Sequence, residues 1–145
     1  MTRVIVSRKI EAPIERVFRA VTDIERLSDS NPDVVGVKFL SDSRSGAGTR
    51  FIETRKTGKK TMDTELEIVE WTDNHTARMV ADSHGTVWDT LFTVEPAAGQ
   101  TKLTIAMDAR PHKLLPKLMN PIMKGFFRKG MEKHIDAVRA YCEQR

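Results

Sequence analysis

The sequence predicts a soluble α+β fold: one long C-terminal helix closes over a curved antiparallel sheet and leaves an apolar cavity between them. Three observations carry this. Residues 34–109 are a succession of alternating apolar and polar runs, separated by short turns rich in Gly, Asn and Asp. Residues 121–143 repeat at helical spacing. Met123, Phe127, Gly130, Met131, His134, Val138 and Tyr141 share one face, and Lys124, Arg128, Glu132, Asp136, Arg139 and Glu143 the other. The order of elements (strand, two short helices, about six strands, long helix) segregates helices from strands.

Each element has its own local cause. Residues 3–10 alternate and are rich in β-branched side chains, which predicts a strand. Pro13 then suits a first helical position, and Ile14, Val17, Phe18 and Val21 recur at helical spacing. Residues 22–27 continue as a second short helix, ended by Ser28-Asp29-Ser30-Asn31-Pro32. Strands are expected at 34–40, 49–57, 61–71, 75–81, 87–94 and 101–109, with turns between them. In the third of these, Met62, Thr64, Leu66 and Ile68 point one way and Asp63, Glu65 and Glu67 the other, as in a sheet packed on one side. Pro116 argues against one helix running from His112, so the long helix is expected to start at Asn120, as cap, and Pro121. Leu114, Leu115, Leu118 and Met119 then belong to a shorter element, a flap.

Bulk composition narrows the function classes. The 145 residues fit a single domain spanning 1–145. At that size roughly 68–70% of the unfolded surface is buried, enough for a core without staples. A single cysteine, Cys142, excludes an internal disulfide and suits a reducing, cytoplasmic setting. The N-terminal residues lack the apolar run of a signal peptide, and no stretch approaches the ~18 apolar residues of a membrane span. Net charge is +4, but aromatics are only 6% and the basic residues are mostly mixed with acids, so no nucleic-acid partner is expected.

Element order and local motifs together resemble the START-like, or SRPBCC, superfamily with its helix-grip fold, and most closely its polyketide cyclase/dehydrase and lipid-transport branch. The likeness is strongest in Ile10-Glu11-Ala12-Pro13-Ile14-Glu15-Arg16-Val17-Phe18 with Thr22-Asp23 a turn later. It recurs at Asn31-Pro32, at Gly46-Ala47-Gly48-Thr49, and from Glu95-Pro96 through Gly99-Gln100-Thr101 to Leu103-Thr104. Many relatives have a tryptophan just before the Asn-Pro pair, where this chain has Ser30; no ligand contact is carried over there. The family has no universal catalytic residue. Its members include hydrophobic-ligand carriers, cyclases, dehydratases, hormone receptors and chaperone cofactors. The resemblance therefore implies a cavity more firmly than an activity.

The expected cavity lining is Phe51, Glu53, Arg55, Met62, Met79, Trp88, Phe92, Met107, Met119, Met123, Phe127, Met131 and His134. Flexible, polarizable methionines suit a cavity that adapts to its ligand, and equally suit an irregular core. Phe51, Trp88, Phe92 and Phe127 would be stiff walls. Glu53 and Arg55 alternate with Phe51 and would be polar groups in an apolar pocket; the opposite parity, with Ile52 inward, stays open. Gly130 costs about 1 kcal/mol in mid-helix, which close approach of a strand or room for a ligand could offset. His134 could do acid–base work, or be a hydrogen-bonded core histidine. Asp63, Glu65 and Glu67 are a solvated strand face.

No catalytic residue is assigned. His75, His84 and His112 lie at turns or loop ends, no histidine pair has the spacing of a zinc site, and Gly-x-Ser-x-Gly is absent. Ser45-Gly46-Ala47-Gly48 is too short for a phosphate loop and precedes a strand, so neither metal nor cofactor is expected.

Basic residues cluster twice. Arg55, Lys56, Lys59 and Lys60 surround a hairpin, and Lys113, Lys117, Lys124, Arg128 and Lys129 surround the flap and the helix start. If the second cluster flanks the cavity mouth, peripheral contact with an anionic lipid surface follows; the alternative is a solvated face. Three functions are thus in view: binding or carriage of a lipid, isoprenoid or polyketide; a cyclase or dehydratase working through Glu53, Arg55 or His134; and a protein-interaction module, which an exposed apolar flap would favour. Oligomeric state is not legible.

Overall fold

The computed structural model describes residues 1–144. Seven strands form one antiparallel sheet in the order β1-β7-β6-β5-β4-β3-β2. They are β1 (Thr2–Ile10), β2 (Val34–Phe39), β3 (Arg50–Thr57), β4 (Lys60–Thr72), β5 (Thr76–Ser83), β6 (Thr86–Ala97) and β7 (Gln100–Pro111). Consecutive strands β2 to β7 pair with their sequence neighbours, and β1 closes on β7 in register from Thr2↔Ala109 to Ile10↔Thr101. Register shifts between Val34 and Gly36 and between Ile68 and Glu70 add the local twist that bends the sheet. The β5–β6 turn places His84 at φ 53° and Gly85 at φ 82°, the left-handed pair that a tight two-residue hairpin requires.

Helices cover the concave side. After β1 come α1 (Ile14–Thr22), a single tight turn (Ile24–Arg26) and α2 (Leu27–Ser30). After β7 come α3 (Leu114–Ile122) and the long α4 (Lys124–Cys142). None of the helices described is long and apolar enough to cross a membrane.

The core lies where α1 and the C-terminal half of α4 press on the sheet. Val17 and Val21, Val4, Leu103 and Ile105, and Ile135 and Val138 meet there, each no more than 2% exposed. The outer face of the sheet carries a ladder of charged side chains. Asp89, only 4% exposed, accepts from Arg78 Nε at 2.8 Å, from Arg78 Nη2, and from Arg110 Nη2 at 3.0 Å. These hydrogen bonds, Arg78's first, outweigh burial and hold the Asp89 carboxyl below its ordinary range. Glu70 on β4 and the Arg3–Asp108 pair on β1 and β7 extend the ladder across five strands.

Two expected boundaries are corrected. Strand pairing runs on to Ala97↔Gln100, so Pro96 lies inside β6 and the turn shrinks to Ala98-Gly99. The long helix does not start at Asn120-Pro121. Both residues belong to α3, with Pro116 tolerated in its first turn, where no intrahelical donor is lost. Asn120 is buried and donates from Nδ2 to Thr86 Oγ1 at 3.1 Å, so its amide serves the tertiary fold and not a cap. The chain breaks at Met123, and α4 follows.

Candidate functional site

The N-terminal half of α4 stands off the sheet and leaves a cavity of about 410 Å³. That is within the range of small-molecule sites. Strand alternation builds its floor: Glu53 and Arg55 on β3, Met62, Thr64 and Leu66 on β4, Met79, Ala81 and Ser83 on β5, Trp88, Thr90 and Phe92 on β6, and Ile105 and Met107 on β7. Side chains two apart share a face, so one parity choice per strand fixes each set. The roof is Phe126, Phe127, Gly130, Met131 and His134 of α4. Val21, Leu27, Asn31 and Val34, all buried, close the inner end. Met62, half exposed, with exposed His84 and Phe126, marks the mouth.

Two edge-to-face aromatic contacts stiffen the walls. Trp88 meets Phe127 with ring centroids 5.1 Å apart, and Phe92 meets the His134 ring at 6.3 Å. At Gly130 an added Cβ would meet nothing within 4 Å, so this glycine admits no close strand and simply adds open space.

The two charged side chains of the wall, Glu53 and Arg55, pair with each other. Arg55 Nε donates to Glu53 Oε1 at 2.5 Å; the Glu53 side chain is 11% exposed and that of Arg55 40%, so the pair runs from inside towards the rim. His134 lines the same cavity. Burial, and secondarily the charge of Arg55, push its pKa down to about 4, with Asp33 opposing weakly. The ring is therefore neutral at pH 7, able to donate one hydrogen bond and accept another. No group of three or more metal-binding side chains occurs among the described residues.

Of the expected lining, Glu53, Arg55, Met62, Met79, Trp88, Phe92, Met107, Phe127, Met131 and His134 stand on the cavity wall. Phe51, Met119 and Met123 do not. Phe51 has the inward parity but is fully buried in the core. Met119 sits on α3 and is 40% exposed, and Met123 is the half-buried joint between α3 and α4. Met123 is expected on the inward face of a helix starting at Asn120, and the interruption at Met123 takes it out of that face; Met119 belongs to the shorter element, as expected, but that element lies off the cavity wall. Ser30 is buried, off the cavity wall, and donates to the Ala20 carbonyl at 2.6 Å. Sequence reasoning missed Thr90, Ser83, His84, Asn31 and Phe126. Alternation from Trp88 and Phe92 would have found Thr90, and alternation from Met79 through Ala81 would have found Ser83; nothing local marks the others.

A curved antiparallel sheet gripping a long C-terminal helix is the helix-grip architecture of the START-like, SRPBCC class. The model of the family described as polyketide cyclase / dehydrase and lipid transport matches residues 1–143, and the chain belongs to that family. Solved structures agree in fold. A START superfamily protein from Mycobacterium smegmatis superposes with a TM-score of 0.81 at 17% identity, covering 99% of both chains. Major latex-like protein 151 from Panax ginseng gives 0.75 at 11% identity, covering 98% of this chain and 97% of that one. The di-domain ARO/CYC StfQ of the steffimycin biosynthetic pathway gives 0.80 at 9% identity, with 98% of this chain matched to 50% of that chain. The sequence matches no curated protein.

Proposed function

We propose that the whole chain, residues 1–145, acts as one ligand-binding domain that takes up, and carries, a small hydrophobic molecule of lipid, isoprenoid or polyketide type. The observation that supports this best is the cavity, closed at its inner end and walled by methionine and aromatic side chains around one charged pair. An apolar body would lie against Met79, Phe92, Met107 and Met131. A single hydrogen-bonding head would reach Arg55, Glu53 or neutral His134. The lone cysteine makes a cytoplasmic setting part of the same reading.

The test is uptake of a fluorescent fatty acid, together with native mass spectrometry of gently purified protein. Gly130→Trp, which fills the roof with a side chain that clashes with no neighbour at Cβ, should abolish uptake while the far-ultraviolet circular dichroism stays native. Absence of binding across a broad panel of lipids and aromatic polyketides would remove the proposal.

A second reading is supported by Glu53, Arg55 and His134 all lining the cavity: a cyclase or dehydratase that folds a reactive chain and moves one proton through His134 or Glu53. His134→Gln should then abolish turnover of a polyketide-like substrate and leave binding of the fluorescent probe intact.

A further inference from the structure

Helix α3 is amphipathic in the inverted sense. Its buried residue is the polar Asn120. Leu114, Leu118 and Ile122 recur every fourth residue with Leu115 beside them, and they face outward, 61–76% exposed. Phe126 at the start of α4 continues the stripe at 68%. A contiguous apolar surface of this kind marks an interaction site on a protein. Fraying does not explain it, because both ends of the helix are tied down. Asn120 bonds Thr86, and at the base the Lys113 stem lies on Gly85, where an added Cβ would come within 2.8–2.9 Å of it.

The charge around the stripe is one-sided. From residue 109 to residue 131 the chain holds six basic residues and no acidic one, so the remainder of the molecule is slightly acidic. Arg110 is neutralised by Asp89 on the outer sheet face. Lys113, Lys117, Lys124, Arg128 and Lys129 form no ion pair among the described residues. The aliphatic stems of Lys117 and Lys124 can lie along the leucines while the ammonium groups reach outward; the Lys113 stem rests on Gly85, and Arg128 Nη1 donates to the Ile5 carbonyl at 3.2 Å.

We propose that α3 and the first turn of α4 are a docking face for an anionic lipid bilayer. An interfacial helix buries its apolar side at the depth of the upper acyl chains and sets its cations among the phosphates, which is the pattern carried here. A second copy of the chain fits poorly. A two-fold contact would lay this patch on itself and oppose the same five unpaired cations. Phe126 ties the face to the cavity, since it is exposed on the stripe and also lines the mouth. A docked molecule would therefore open its cavity onto the membrane. The docking face stands on its own residues and does not depend on what the cavity holds; vesicle binding and probe uptake are separate measurements.

The experiment is co-sedimentation with phosphatidylcholine vesicles, with and without about a third phosphatidylglycerol. Binding is expected only to the anionic vesicles, and should vanish near 1 M salt, where the screening length is about 3 Å. Each basic residue near the surface is worth about fivefold, so Lys117→Glu plus Lys124→Glu should weaken binding by at least about 25-fold. Leu118→Ser plus Ile122→Ser should weaken it about 10-fold or more per side chain. All four positions are exposed, so the variants should keep their circular dichroism and thermal midpoint. Arg19→Glu plus Arg26→Glu, an equal charge change on the α1 side, should leave binding within about twofold, since the Debye length at physiological salt is only about 8 Å. No binding to anionic vesicles at low salt would overturn the proposal. So would equal losses in the α1-side and α3 variants, which would reduce it to net charge. A dimer dissolved by Leu118→Ser plus Ile122→Ser, without vesicle binding, would give the face to a second copy.

Discussion

The two halves of α4 are one helix with two jobs. From Ile135 onward, Ile135, Val138 and Cys142 are buried against the sheet and α1, at 2% exposure or less. Polar ties fix this half from outside: Arg8 to Asp136 at 2.9 Å, the Glu11 amide to Glu143 at 2.8 Å, and Arg16 to the Gln144 carbonyl at 2.8 Å. Between Lys124 and His134 no residue is fully buried; Phe127, Met131 and His134 are partly buried and face the cavity. Stability is thus concentrated in the C-terminal half. The N-terminal half packs only partly, through Phe127 and Met131, and that looser packing leaves room for a cavity in a domain of ordinary size.

The contrast can be broken most directly at two residues one turn apart. Ile135 and Met131 are four positions apart and so lie on the same face of the helix. Ile135→Ala removes a fully buried side chain from a packed core and should cost about 3–5 kcal/mol. Met131→Ala removes atoms that already border open space, and should cost about 1 kcal/mol. Urea unfolding of both variants measures the difference. Equal losses would mean that the two halves of α4 are packed alike.

His134 sits at the boundary and predicts a pH effect. In the unfolded chain its imidazole protonates near 6.5; in the fold, burial delays this to about 4. Between those values the unfolded state binds the extra proton, so stability is fully present above about pH 6.5 and falls as the pH drops towards 4. The whole shift corresponds to about 3 kcal/mol. His134→Gln should remove that share of the acid sensitivity, with carboxylate contributions common to both proteins. Parallel curves for the two proteins from pH 7 to pH 4 would show that water already reaches the ring and relieves its burial.

Strand alternation made legible which residues share a side, but on β3 not which side faces inward, and nowhere the depth. Phe51, Glu53 and Arg55 share a face of β3, yet they run from fully buried, through nearly buried, to a side chain 40% exposed. Depth depends on what stands opposite, and on β3 that is helix α4, far away in sequence. The start of α4 was misread for a related reason. Asn-Pro is a sound local cap signal, but burial of Asn120 against Thr86 overrode it. Leu114, Leu115, Leu118 and Met119 were legible as a separate element. Their outward orientation was not, because the helical period gives an apolar stripe without saying which way it faces.

The smallest effect is the most specific to the open half of α4. A glycine inside a helix is less favourable than alanine by about 0.8–1 kcal/mol, through backbone entropy and poorer shielding of the backbone from water. No clash forfeits that gain here, because the Gly130 Cβ position is empty to 4 Å. Gly130→Ala should therefore stabilise the protein, by about 0.5–1 kcal/mol, read as an upward shift in thermal midpoint. Gly130→Leu should hold most of that gain, since it projects into the cavity and not into a neighbour, while reducing uptake of an apolar probe. Stability and binding then move in opposite directions at a single residue. A loss of stability in Gly130→Ala would mean that the roof of the cavity lies closer to the sheet in solution, and that the two halves of α4 differ less than their burial suggests.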